Sequence, residues 1–163
     1  MGTRSLVHIK EDGKTLVTLY RQYDGYPTGM GADIKDALNK GKARLTAGGH
    51  SGKDASPEVF SGMGCLAAYL IGALKTPSET GDGSSLDRRN AIGNVFVFPV
   101  DSSDCGEEFT YTLDTKTPKL SKAGERVAPV LHLEVKAGHD VVYSGALAKF
   151  NPAKLEKMVN GDS

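Results

Sequence analysis

Tryptophan is absent from this chain and neither sign of charge prevails, since 20 Lys and Arg oppose 20 Asp and Glu. Binders of nucleic-acid polymers carry a basic face, so the balance argues against such a partner while leaving room for a local cationic pocket. Long apolar runs are also lacking. The longest, Cys65 to Leu74, falls well short of the ~20 residues of a membrane span. Met1-Gly2-Thr3-Arg4 leads into strand-like sequence without the apolar core of a secretory signal, which predicts a cytosolic protein that does not engage a membrane. Cysteine is scarce, and Cys65 and Cys105 are expected to be free thiols in a reducing compartment. The histidines, His8, His50, His132 and His139, show no His-x-x-x-His spacing, and no Cys-x-x-Cys occurs. Neither a metal site nor a cofactor is therefore predicted.

What the chain does have is the composition of a soluble globular protein, 39% hydrophobic and 25% charged over 163 residues. That length is one domain, 1–163, able to bury about 70% of the surface its unfolded form exposes. It should fold alone or as a small homo-oligomer. Ser5–Lys10 and Thr15–Gln22 flank Glu11-Asp12-Gly13-Lys14, the pattern of a β-hairpin closed at Asp-Gly. Ile34, Ala37 and Leu38 have helical spacing within 31–39, with Gly41 as the stop. A helix is predicted over 57–75, capped by Ser56 with Pro57 at its first position. Val59, Met63, Leu66, Leu70 and Leu74 share one of its faces, and Gly62, Gly64 and Gly72 predict a close approach of another backbone.

Strands are predicted over 94–100, 108–114, 129–137 and 141–148, with a reversal at Gly138-His139-Asp140 and a short edge strand over 117–122. Asn151-Pro152 opens a closing helix that ends at Gly161. The order ββααββββα implies an α+β fold, a single largely antiparallel sheet of about six strands covered by helices, including a buried helix near 57–75. Residues 43–56 and 76–93 read as loops.

The densest chemistry lies between Tyr20 and Gly31, where three of the six tyrosines stand with Arg21, Gln22, Asp24, Pro27 and three glycines. Antiparallel pairing brings Arg4, at the start of the first strand, near the end of the second. Arg4, Tyr20, Arg21, Gln22, Tyr23, Asp24 and Tyr26 are thus candidates for one pocket. Guanidinium groups suit phosphate or carboxylate, and tyrosine rings suit a base or sugar. The competing structural reading is a buried Arg4–Asp24 pair in a corner packed by tyrosines. Gly29 and Gly31 precede a helix and are candidates for presenting backbone N–H groups to an anion. Asp33 in the first turn is the competing explanation, since a carboxylate there itself satisfies the helix end.

His50 and Lys53 lie in a Gly- and Ser-rich loop without phosphate-loop spacing and are candidates for a lid. Asp87-Arg88-Arg89 reads as a solvated turn. Cys105, among Asp101, Asp104, Glu107 and Glu108, is poorly placed to be a nucleophile, because nearby carboxylates raise a thiol pKa.

The opening Gly2-Thr3-Arg4-Ser5-Leu6 and the run Tyr20-Arg21-Gln22-Tyr23-Asp24-Gly25-Tyr26-Pro27 resemble a family of small uncharacterised proteins of phages, bacteria and fungi. Its members share a Gly-Thr-Arg element and a Gln-(Tyr/Trp)-Asp-Gly-Tyr-Pro motif. The resemblance covers the first fifth of the chain, with weaker similarity in Phe109-Thr110-Tyr111-Thr112-Leu113-Asp114. It singles out residues without supplying a reaction, and it implies a phage or mobile-element protein acting in a host cytosol.

The expected function is a non-catalytic binding protein for a small anionic, phosphorylated or nucleotide-like ligand, such as a sponge for a host defence signal. Two alternatives stay open. One is a hydrolase or transferase with Asp24 as base and Arg4 or Arg21 as anion stabilisers; the other is a module that blocks a host partner through its tyrosines.

Overall fold

The computed structural model describes residues 2–45, 59–75, 94–116, 123–124 and 129–161. Its first two strands, β1 (Ser5–Glu11) and β2 (Lys14–Arg21), form the predicted hairpin, paired from Ser5↔Arg21 to Glu11↔Lys14. Asp12 at φ 49° and Gly13 at φ 79° both take left-handed conformations, which match the strand twist and which Asp-Gly adopts with little strain.

The sheet grows on both sides of this hairpin. β5 (Val95–Phe98) adds to β2, while β6 (Phe109–Lys116), β7 (Val130–Ala137) and β8 (Asp140–Ala146) continue from β1. The resulting order is β5-β2-β1-β6-β7-β8. Every neighbouring pair is antiparallel except β1 and β6, which run parallel from Ser5↔Phe109 to Ile9↔Leu113. The fold is accordingly α+β with one largely antiparallel sheet.

Strand alternation sends Val7, Ile9, Leu19, Tyr111, Leu113, Leu133 and Val135 to one face, where all are fully buried. That face is covered by α1 (Ala32–Ala37), α2 (Gly62–Lys75) and α3 (Pro152–Asn160). They and their flanks contribute Ile34, Leu38, Met63, Leu66, Leu70 and Leu155 to the same core. Burial of each such side chain contributes ~1.5–3 kcal/mol. The opposite face of β1, β6 and β7 carries the polar His8, Thr110, Thr112, Asp114, His132, Glu134 and Lys136 together with the buried Leu6.

The predicted helix over 57–75 requires correction at its start. Ser56 and Pro57 lie outside the described residues, and Val59–Phe60 forms β4, paired in parallel with β3 (Arg44–Leu45) in a small second sheet. The helix begins only at Gly62, which sits at φ 79°. Its first turn is satisfied from elsewhere in the chain, because Glu11 Oε1 accepts the Met63 N–H at 3.1 Å. A carboxylate also suits the positive end of a helix. α2 is buried on one face only: Met63, Leu66, Ala67 and Leu70 face inward, while Cys65, Ala68 and Tyr69 are exposed. The expected close approach is not found at Gly64 or Gly72, where a Cβ would meet nothing within 4 Å, whereas at Gly62 it would come within 3.2 Å of the Glu11 carboxylate of β1.

α1 ends sooner than predicted, at Ala37, and the chain then turns through left-handed Asn39, Lys40 and Gly41. Gly41 is held there by the backbone of Leu147 and Ala148, which a Cβ would approach to 2.7 Å. α3 follows the sequence closely. Asn151 accepts the Lys154 N–H at 3.0 Å, Pro152 occupies the first turn, and Gly161 closes the helix at φ 74°. The predicted edge strand over 117–122 lies outside the described residues. Among the described residues, no helix is long and apolar enough to cross a membrane.

Candidate functional site

The Tyr20–Gly31 stretch forms a tightly bonded corner. Arg21 donates from Nε to the Tyr23 carbonyl at 2.8 Å, and its Nη1 lies 2.5 Å from Asp33 Oδ2 and 3.3 Å from Met30 Sδ. Its side chain is only 12% exposed, against 48% for Asp33. The pair expected in a structural corner was Arg4 with Asp24; the observed pair is Arg21 with Asp33. Asp33 therefore answers a guanidinium as well as standing in the first turn of α1.

The remaining members of the stretch are similarly engaged. Tyr20 stacks on Phe98 with ring centroids 4.5 Å apart, and its hydroxyl donates to Gln22 Oε1 at 2.8 Å. Asn94, buried at the start of β5, accepts the Tyr23 N–H at 2.7 Å through its side chain and returns a bond to the Tyr23 carbonyl at 3.1 Å. Its own carbonyl accepts the Gln22 N–H at 3.0 Å. Asp24 takes a left-handed φ of 57°, its carbonyl accepts the Met30 N–H at 2.9 Å, and Tyr26 donates to its carboxylate at 3.2 Å.

The glycines here answer packing. A Cβ on Gly29 would fall 2.2 Å from the Asp24 carbonyl oxygen, and one on Gly31 would press on Phe150 and Tyr111 at 3.0–3.2 Å. The short turn at Pro27–Gly31 between the corner and α1 leaves Gly31 buried, away from the solvent-facing helix end that an anion site requires. Tyr111 crosses the core to donate to the Gly25 carbonyl at 2.8 Å. Burial lifts its phenol above the ordinary tyrosine range, so it stays a neutral donor. Thr28 completes the corner by donating its N–H to Glu156 of α3 at 2.8 Å, with its hydroxyl on the same oxygen.

Arg4 behaves differently from Arg21. Its Nε is buried with no hydrogen-bond partner among the described residues, and Nη1 lies where a Cβ on Gly106 would come within 2.9 Å. By alternation along β1, Arg4 stands on the face of His8 and Lys10. None of the described helices covers that face, and it forms an open trough of about 880 Å³ between β1, β6, β7 and the loop at 103–107, which Arg4 borders at Gly106 without lining it.

The trough is built from residues distant in sequence. One cross-strand row runs Thr18, His8, Thr112, Glu134, Ser144, and Lys10 and Lys136 also line the recess. His8 Nδ1 lies 2.9 Å from Thr18 Oγ1. Burial first, and then the positive charges of Lys10 and Lys136, hold the His8 pKa below its usual value, with Asp101 and Glu107 opposing. His8 is thus neutral near pH 7 and surrounded by charges of both signs. These trough residues escaped the sequence reading. Their signal was the polar alternation Thr110, Thr112, Asp114 and His132, Glu134, Lys136, which marks an exposed face but not its partners.

Cys105 sits on the trough's flank. Partial burial, Glu107 and Asp104 raise its thiol pKa, the direction expected from its acidic neighbours and opposite to that of an activated nucleophile. His50, Lys53 and Asp87-Arg88-Arg89 lie outside the described residues.

No family model, curated protein or solved structure matches the chain.

Proposed function

We propose that this protein is a non-catalytic binder of a small phosphorylated or nucleotide-like ligand, held on the open sheet face. The supporting observation is the Arg4 guanidinium, whose buried Nε has no hydrogen-bond partner among the described residues and whose Nη1 lies beside Gly106, a residue that lines the recess together with His8, Lys10 and Lys136. An anionic group there would bond the guanidinium and be attracted by Lys10 and Lys136, while the threonine hydroxyls and the carboxylates of Asp104, Glu107, Asp114 and Glu134, which also line the recess, suit a sugar or base edge. Such a protein works as a cytosolic sponge. If its resemblance to phage proteins reflects kinship, the ligand is a defence signal of the host.

The alternatives draw less support. Arg21 is already paired with Asp33, which engages one of the two arginines that a hydrolase or transferase with Asp24 as base would use to stabilise an anion. Of the tyrosines in the stretch, Tyr20 is buried and Tyr26 half-buried, leaving Tyr23 as the exposed one, a narrow basis for a protein-binding hot spot.

The experiment is to incubate the protein with a panel of nucleotides, cyclic dinucleotides and pyrophosphate, and to analyse retained and released ligand by mass spectrometry. Intact release of a retained compound is expected, with Arg4→Gln weakening retention by about one to two decades, the loss of one charge-assisted bond of ~1.5–3 kcal/mol. Altered release would replace the sponge with an enzyme, and no retention of any anionic compound would remove the reading.

A further inference from the structure

His8 lines the trough, and the side chain beside it dictates which ring nitrogen carries the proton. Thr18, its antiparallel neighbour on β2, is fully buried. Thr18 Oγ1 accepts the Asp101 N–H at 3.1 Å and lies 2.9 Å from His8 Nδ1, and it has no third partner among the described residues. A buried hydroxyl gives its own proton to an acceptor within reach. The Asp101 N–H is itself a donor, so the Thr18 O–H points at His8 Nδ1. Nδ1 therefore carries no proton in the neutral ring, and the ring's one proton sits on Nε2.

The opposite tautomer is penalised by the same geometry. A proton on Nδ1 would make Thr18 Oγ1 accept twice and strand its own O–H in a fully buried place. Asp101 cannot easily drift away to relieve this, because the Thr15 hydroxyl donates to its carboxylate. Burial and the charge of Lys10 also keep the ring neutral at ordinary pH, with Lys136 adding to them and Asp101 and Glu107 opposing. The Nε2–H has no partner among the described residues. Thr112, beside His8 on β6, and Lys10, two residues along β1, line the same recess.

We propose that the His8 Nε2–H is the donor that seats the ligand's phosphate, with Lys10 supplying charge, and that Thr18 is the positioning residue that fixes this donor. The inference rests on the open sheet face being the ligand site. What the seat accepts is an oxygen without a proton, as on a phosphate; a group that can only donate, such as an ammonium, is refused.

The test is NMR of the full chain at about pH 8, above the ordinary histidine range, with pyrophosphate as the probe. Long-range proton–nitrogen correlations of the free protein should show a proton on His8 Nε2 and none on Nδ1. Thr18→Val should release a mixture of tautomers, whereas Thr18→Ser, which keeps the hydroxyl, should not. Pyrophosphate should shift Nε2 saturably. His8→Gln, whose amide reaches the place of Nε2, should keep binding within about threefold, and His8→Asn, whose amide reaches only the place of Nδ1, should weaken it about tenfold or more. A proton on Nδ1 in the parent, or equal weakening by the two His8 variants, would overturn the proposal. Pyrophosphate bound on the sheet face with Nε2 unmoved would overturn it too, while leaving that face as the ligand site. Absence of pyrophosphate binding would also overturn it, and retention of another anion would then keep the broader reading.

Discussion

Arg21 and Asp33 form a 2.5 Å ion pair that ties the end of β2 to the first turn of α1. Twelve residues separate them, and what joins them is the Tyr23–Gly31 fold-back, in which the Met30 N–H bonds the Asp24 carbonyl and Gly25 bonds the Thr3 carbonyl. The pair bears on the role of the motif, because Asp33, Tyr23 and Met30 already take up the Nε and Nη1 donors of this guanidinium.

Arg21→Gln should therefore act on stability. It removes the ion pair and the bond to the Tyr23 carbonyl, and the half-exposed Asp33 moderates the loss, which should come to about 1–3 kcal/mol. Urea midpoints of the two proteins measure it. A midpoint unchanged within error would mean that the pair holds nothing together.

Asn94→Ala should cost about 2–3 kcal/mol, because the Tyr23 N–H and carbonyl would lose both side-chain partners in a part-buried setting. Thermal unfolding together with amide exchange at Tyr23 checks this. Exchange at Tyr23 as slow as in the parent would contradict it.

On α2, Leu66→Ala should destabilise by ~2–5 kcal/mol, since Leu66 is fully buried. Gly64→Ala should stabilise by roughly 0.5–1 kcal/mol, because the added methyl meets open space on an exposed helical position. Opposite signs two residues apart test the helix face directly in denaturant titrations, and a loss of stability in both would place the wrong face inward.

The His8 pKa is lowered on folding, so the unfolded chain binds more protons in the window just below pH 6.5, the ordinary histidine value. The stability contributed by neutral His8 is complete above that pH and falls as pH drops through it toward the lowered folded value. His8→Asn, which keeps a nitrogen-bearing side chain near Thr18, should flatten this slope. Equal slopes in the two proteins between pH 7 and 5 would contradict the assignment.

The parts of the fold legible in the sequence are those whose cause is local. Asp12-Gly13 closes a hairpin because both positions need left-handed backbone, and Asn151-Pro152 with Gly161 brackets α3 because its caps are side chains within a turn of the helix ends. The start of α2 was not legible, since its first N–H is satisfied by Glu11, 52 residues away in sequence. The motif's density of arginine, tyrosine and glycine was visible, but whether Arg21 meets Asp24, Asp33 or a ligand depends on a fold-back that no spacing specifies. The trough was hidden for a related reason. Its row from His8 through Thr112 to Glu134 exists only because β1 and β6 pair in parallel, a long-range choice without a local signature.

The most direct test of the central claim, that ligand is held on the open sheet face while the Tyr20–Gly31 stretch is a structural corner, is a chemical-shift map during titration with a nucleoside diphosphate. The account predicts saturable shifts at Arg4, His8, Thr112 and Lys136, with the His8 imidazole pKa rising as the phosphates settle beside it. Saturable shifts centred on Tyr23, Asp24 and Tyr26, with the His8 resonances unmoved, would contradict it.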